Sequence, residues 1–143
     1  MSPWVQLVLL VALGGLVGAI TSVVVTRRVA ARSEVEAALR VVDGTEEPLS
    51  ARWRHGVVLP TSGCLRMRPG GPGGVRIPRG RPFEVPVMSV DRGPRGRPSR
   101  RHFWSINPRL DVVRMATPTA TVELAARFSD LDRVLAVLCP PAR

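Results

Sequence analysis

From Ser2 to Thr26 no residue is charged, and the apolar stretch "LVLLVALGGLVGAITSVVV" at 7–25 runs straight into "TRR". A helix that crosses a bilayer needs about 20 mainly apolar residues, at roughly 1.5 Å each. Residues 4–26 meet that length. A secretory signal would put positive charge before a shorter run and a small-residue cleavage site after it. Here the order is reversed, with Arg27, Arg28 and Arg32 following the run and no basic residue before it. The pattern predicts a retained transmembrane helix over 4–26, ahead of a cleaved signal peptide or a soluble core helix. Arginines beside a span hold that side in the cytoplasm. The expectation is a single-pass protein of the cell (inner) membrane, with its N-terminus outside and its C-terminal domain cytoplasmic. Trp4 suits the outer interface, where an amphipathic ring sits at headgroup level. Inside the run, Gly14 and Gly18 form GxxxG, and Ser22 follows one turn later on the same face. Small residues let helix backbones approach closely, so these three mark a helix-packing face for another copy or another membrane protein.

Beyond the run, "RRVAARSEVEAALRVV" places Val35, Ala38, Leu39 and Val42 at helical spacing. This predicts a juxtamembrane helix over 27–42, broken by "DGTEEPLS", so that 27–50 is helix and linker. From Arg52 the texture becomes short apolar runs between turn residues. "RWRHGVVLP" (52–60), "CLRMRP" (64–69), "VRIP" (75–78) and "FEVPVMSV" (83–90) read as strands. Leu65 and Met67 alternate with Arg66 and Arg68, the period of a half-buried strand, with Cys64 on the arginine side. Pro86 argues for an edge or a bulge. "DRGPRGRPSRR" (91–101) predicts an irregular loop. "HFWSI" (102–106), "LDVVRMAT" (110–117) and "ATVELAARF" (120–128) read as further strands, the last two a hairpin across "PT". "SDLDRVLAVL" (129–138) predicts a helix with Ser129 as N-cap and an apolar face of Leu131, Val134, Leu135 and Leu138. The fold class expected is one N-terminal transmembrane helix plus a small mostly-β domain at 51–139. That domain has about six or seven antiparallel strands and a C-terminal helix. The layout is pleckstrin-homology-like by analogy, and such an analogy carries no function.

The charge is concentrated. The chain has a formal net charge of +10, and every one of its 21 basic residues is arginine. The bias toward Arg, Ala, Gly, Pro and Val suggests a GC-rich genome, which accounts for the missing lysine. Thirteen arginines lie between residues 48 and 109 against only Glu84 and Asp91. Such a cluster on a tethered domain faces a negative surface: the inner leaflet, nucleic acid or an acidic protein. Arg92, Arg95, Arg97, Arg100 and Arg101 are the candidate contacts with an anionic surface. "HFW" beside them supplies the mix of aromatics and arginine that binds single-stranded nucleic acid. The tether makes anionic lipid the simpler partner.

Chemistry is sparse. His55 has arginines around it and no carboxylate or nucleophile near it in sequence, so it lacks the partner a general acid or base needs. Cys64 has Gly70 where a cysteine phosphatase loop needs Arg. The two cysteines, with no CxxC, read as reduced and structural. There is no P-loop, dinucleotide fingerprint or metal-ligand spacing. No cofactor and no catalytic residue is expected.

The resemblance to a known family becomes specific at Trp53, Arg54, His55, Gly56 and Val57. With a span before it and an Arg-rich middle and short C-terminal helix after it, the chain resembles a family of small actinobacterial membrane proteins. That family is known only as a domain of unknown function and is often encoded beside the ATP synthase operon. The likeness spans residues 1–139, and the Gly/Pro-rich segments 69–81 and 91–101 depart from it. It implies a single-span topology and an Arg-rich domain, and it assigns no role to the WRHG motif. The expected function is a non-enzymatic binding or scaffolding module, accessory to a membrane complex. The alternative is docking of the Arg-rich domain on anionic headgroups. Nucleic-acid binding or an enzyme comes behind both.

Overall fold

The computed structural model describes residues 2–6, 8, 11, 12, 34–71 and 75–139. The chain divides into two compact units, Met1–Ser33 and Glu34–Arg143. In the first, residues 3–6, 8, 11 and 12 are helical. Among the described residues no helix is long and apolar enough to cross a membrane. Most of the predicted span, with Gly14, Gly18 and Ser22, lies outside the described residues, as do Arg27, Arg28 and Arg32.

The second unit is a small, mostly-β domain of antiparallel strands with a C-terminal helix, as expected. Its strands are β1 (Val35–Gly44), β2 (Arg54–Thr61), β3 (Cys64–Gly71), β4 (Val75–Pro78), β5 (Phe83–Pro86), β6 (Ser89–Val90), β7 (Asp111–Ala116) and β8 (Ala120–Ala126). Helix α1 (Phe128–Leu138) follows. The sheet order is β4-β3-β2-β1-β8-β7-β6, and β5 also pairs with β3.

Three expectations are corrected. Residues 35–44 form a strand, not the end of a helix over 27–42. Val35, Ala37, Leu39 and Val41 are buried at period two, and Val42, assigned to the helical face, is exposed. The segment offers both periods, and pairing decides between them: β1 lies between β2 and β8, hydrogen-bonded on both sides. Long-range pairing overrides the helix propensity of its Ala, Leu, Glu and Arg residues. The domain accordingly begins at Glu34, not at residue 51. The presumed linker belongs to it, because Leu49 is buried and Val41 N–H donates to the Ser50 carbonyl at 2.8 Å. Second, "HFWSI" is not a strand. It runs through a 3-10 turn (Arg100–His102) into tight turns held by bonds from Ser105 N and Ile106 N to the His102 carbonyl, both 2.9 Å. Third, Ser129 is not the helix cap. Arg127 holds the extended cap position, without a side-chain capping bond, and Ser129 is the second helical residue.

The core lies on one face of the sheet. Leu39, Val58, Leu65, Met67, Met115, Val122 and Leu124 are fully buried there, against Leu131, Val134 and Leu138 of α1. The alternation seen in sequence at β3 is kept, with Arg66 and Arg68 exposed opposite Leu65 and Met67. Among the described residues, every buried hydrophobic residue falls between Val35 and Leu138. The second unit therefore carries a hydrophobic core of its own.

Candidate functional site

The opposite face of the sheet is set by register. Pairing of Arg40 with Glu123, and of Glu123 with Arg114, lines three charged side chains across β1, β8 and β7. The Arg40 guanidinium holds Glu123 Oε2 at 2.7 Å from both Nε and Nη2, and Arg114 Nε donates to Oε1 at 3.1 Å. Glu123 is buried, so two charge-assisted contacts compensate a carboxylate that could not otherwise be held there. The next row, Ala38, Ala125 and Val112, is small and apolar. Trp53 and Ile106 fill the space above it, forming a second hydrophobic cluster separate from the main core.

These two rows pin the segment between β6 and β7 to the sheet. Its first half is stitched on by paired bonds between Gly96 and Val112, at 2.9 and 3.0 Å. Its second half is held by Ile106 and by His102. Arg40 Nη1 donates to His102 Nε2 at 2.7 Å, which assigns the neutral tautomer with its proton on Nδ1. Arg40 also lies over the Trp53 ring, 4.9 Å from its centroid, and Trp53 meets His102 edge to face at 6.4 Å. Trp53 Nε1 is buried with no acceptor among the described residues.

The WRHG motif thus gains a structural reading. Trp53 is the anchor under the loop. Arg54 donates to the Pro48 carbonyl at 3.2 Å and lies 5.6 Å over the Phe83 ring. His55 Nε2 donates to the Ser105 carbonyl at 2.5 Å, a second tie to the loop. Gly56 is there for closeness, since a Cβ would fall 2.3 Å from the Arg68 carbonyl oxygen and 3.0 Å from Pro69 Cα. Three of the four residues fix the loop or the strand beneath it.

The five arginines expected to face an anion are not equivalent. Arg95 is engaged: it pairs with Asp132 and lies 4.7 Å over the Phe128 ring, clasping the loop to α1. Arg92, Arg97, Arg100 and Arg101 are exposed, and among the described residues none takes part in an ion pair. Beyond Arg101 the turn projects Phe103, 45% exposed, and Trp104, 100% exposed. The sequence predicts a strand for these aromatics, and nothing local distinguishes an outward from an inward tryptophan. Arg40, Glu123 and Arg114 are scattered along the chain and meet only through register, so no sequence motif marks them.

Between the Phe103–Asn107 turns and the sheet lies an open cleft of about 420 Å³, lined by Glu36, His55, Phe103, Trp104, Asn107 and Arg127 among others. Among the described residues no three His, Cys, Asp or Glu side chains group as metal ligands. Burial, and then Glu84, pushes the Cys64 thiol above its ordinary range. Comparison with known proteins gives no match, whether to family models, to curated proteins or to solved structures.

Proposed function

We propose that the chain is a single-pass membrane protein whose β-rich domain is a non-enzymatic binding module, docked by its arginine loop on the anionic headgroups of the membrane that carries it. The single observation behind this reading is the exposure of Arg92, Arg97, Arg100 and Arg101 on one segment. They stand without ion-pair partners among the described residues, while Arg40, Arg95 and Arg114 are taken up by acids. A basic residue near an anionic leaflet contributes about 1 kcal/mol, so four give about 4 kcal/mol to a domain the span already confines. Loops held on a rigid scaffold are common binding surfaces, and this loop is held on an antiparallel sheet. In the same proposal the span at 4–26 packs on a membrane-protein partner or a second copy through Gly14, Gly18 and Ser22, which makes the protein accessory to a membrane complex. Kinship with the actinobacterial family agrees with that topology and stays part of the proposal.

The test uses residues 34–143 and sedimentation with vesicles. Phosphatidylglycerol-containing vesicles are expected to bind the domain, and phosphatidylcholine vesicles to leave it in solution. Binding should fade as salt rises from about 0.1 M to about 1 M, where the Debye length shrinks from about 10 to about 3 Å. Equal binding to both vesicle types, or to neither, overturns the proposal.

A further inference from the structure

The loop that carries the arginines ends in two outward aromatics, and their placement says more than charge alone. Trp104 is entirely solvent-exposed and contributes nothing to either hydrophobic cluster. Phe103, next to it, is 45% exposed. Arg100 and Arg101, both exposed, stand just before them in the chain, separated from Phe103 by half-buried His102. Single exposed apolar residues are ordinary. Here two adjacent aromatic rings stand on one tight turn, with two exposed arginines on its N-terminal side.

The turn is preorganised. His102 N–H bonds to the Ser99 carbonyl at 2.8 Å, and Phe103 N–H to the Arg100 carbonyl at 3.3 Å. Ser105 returns to the His102 carbonyl through both its N–H, at 2.9 Å, and its hydroxyl, at 3.0 Å. Below the tip, Ile106 is buried and His102 is tied to Arg40. The backbone on either side of the tip is therefore ordered before any partner arrives, which removes the ordering cost that a mobile loop would incur on docking.

Resting on the lipid-docking reading, we infer that Trp104 and Phe103 form a wedge that enters the headgroup layer of an anionic bilayer, with Arg100 and Arg101 meeting the lipid phosphates just above it. Tryptophan favours that depth because its ring is apolar while its indole N–H still finds water or a headgroup oxygen. Arginine suits the layer above, since its planar guanidinium binds phosphate through two parallel hydrogen bonds. Charge brings the domain to the surface, and the aromatics set its depth and orientation. Among the described exposed arginines, those at 92 and 97 lie farther back along the loop in sequence and add attraction without insertion.

Residues 34–143 contain only two tryptophans, buried Trp53 and exposed Trp104, which makes intrinsic fluorescence a direct readout. On phosphatidylglycerol vesicles with brominated acyl chains, the emission is expected to shift to the blue and be quenched, and Trp104→Phe should cut the quenching strongly. Trp104→Ala should bind about tenfold more weakly, with the salt dependence kept. Arg100→Glu with Arg101→Glu should abolish binding. None of these side chains is buried, so unchanged thermal melting serves as the folding control. Salt-dependent binding with no quenching, and a Trp104→Ala variant that binds as tightly as the parent, overturns the wedge and leaves charge docking standing. Failure of the parent to bind any vesicle, above all if it binds a single-stranded oligonucleotide instead, overturns both.

Discussion

At the scale of single residues, the outer face of the sheet depends on a few contacts that mutation can isolate. Glu123 is buried between Arg40 and Arg114. Replacing it by Gln leaves the Arg40 guanidinium largely enclosed without a countercharge, so Glu123→Gln should lower stability by about 3 kcal/mol. Chemical denaturation would read this, and because the pair is enclosed, added salt should change the difference little. Gly56 is constrained by closeness, since a Cβ there would meet the Arg68 carbonyl at 2.3 Å. β2 and β3 would have to part, and Gly56→Ala should destabilise by about 2 kcal/mol or more, visible as a lower melting temperature. Cys64 gives a chemical check. Burial and the charge of Glu84 raise its pKa, so a smaller fraction is thiolate at pH 8 than in an open thiol. Alkylation at that pH should be slower than for a model thiol, should accelerate as pH rises further, and should be faster in Glu84→Gln.

At the scale of elements, the Arg-rich segment between β6 and β7 is built as part of the domain. Trp53 and Ile106 hold it from below, His55 donates to the Ser105 carbonyl, and Arg95 clasps α1. Trp53→Ala removes the anchor and should cost about 3–5 kcal/mol. Amide exchange should accelerate first at residues 99–107 and only later in the sheet, because the main core lies on the other face. Uniform acceleration throughout the domain would argue against a separately anchored loop. Within WRHG, Trp53 and His55 secure the loop, and Gly56 lets β3 come close.

At the scale of the whole molecule, charge separates by role. Residues 34–143 hold 18 arginines against 11 acids. The ion pairs described within that unit bind Arg40, Arg68, Arg95, Arg114 and Arg133 to acids, which leaves the positive excess on the surface. An exposed excess of this size attracts anionic surfaces through long-range, salt-sensitive steering. Purification of the full chain in gentle detergent adds the other half of the test. A specific membrane protein should accompany the wild type and be lost from Gly14→Leu, Gly18→Leu. Equal recovery of the same partner with the variant would remove the helix-packing role.

How much was legible differs by element. β2, β3, β7, β8 and the C-terminal helix stand where the short apolar runs between turn residues and the helical apolar stripe predict them. β1 forms where the sequence predicts a helix, because its residues fit both periods at once. Local sequence cannot report that β8, some 80 residues later, waits to pair with it. The uncharged run, the arginines that follow it and the excess of positive charge are properties of the chain by itself, since they depend only on its sequence. The burial of Trp53, the exposure of Trp104 and the Arg40–Glu123–Arg114 row were decided only in three dimensions. A tryptophan reads the same whether it faces in or out, and three charges far apart in sequence become neighbours only when strand register places them side by side.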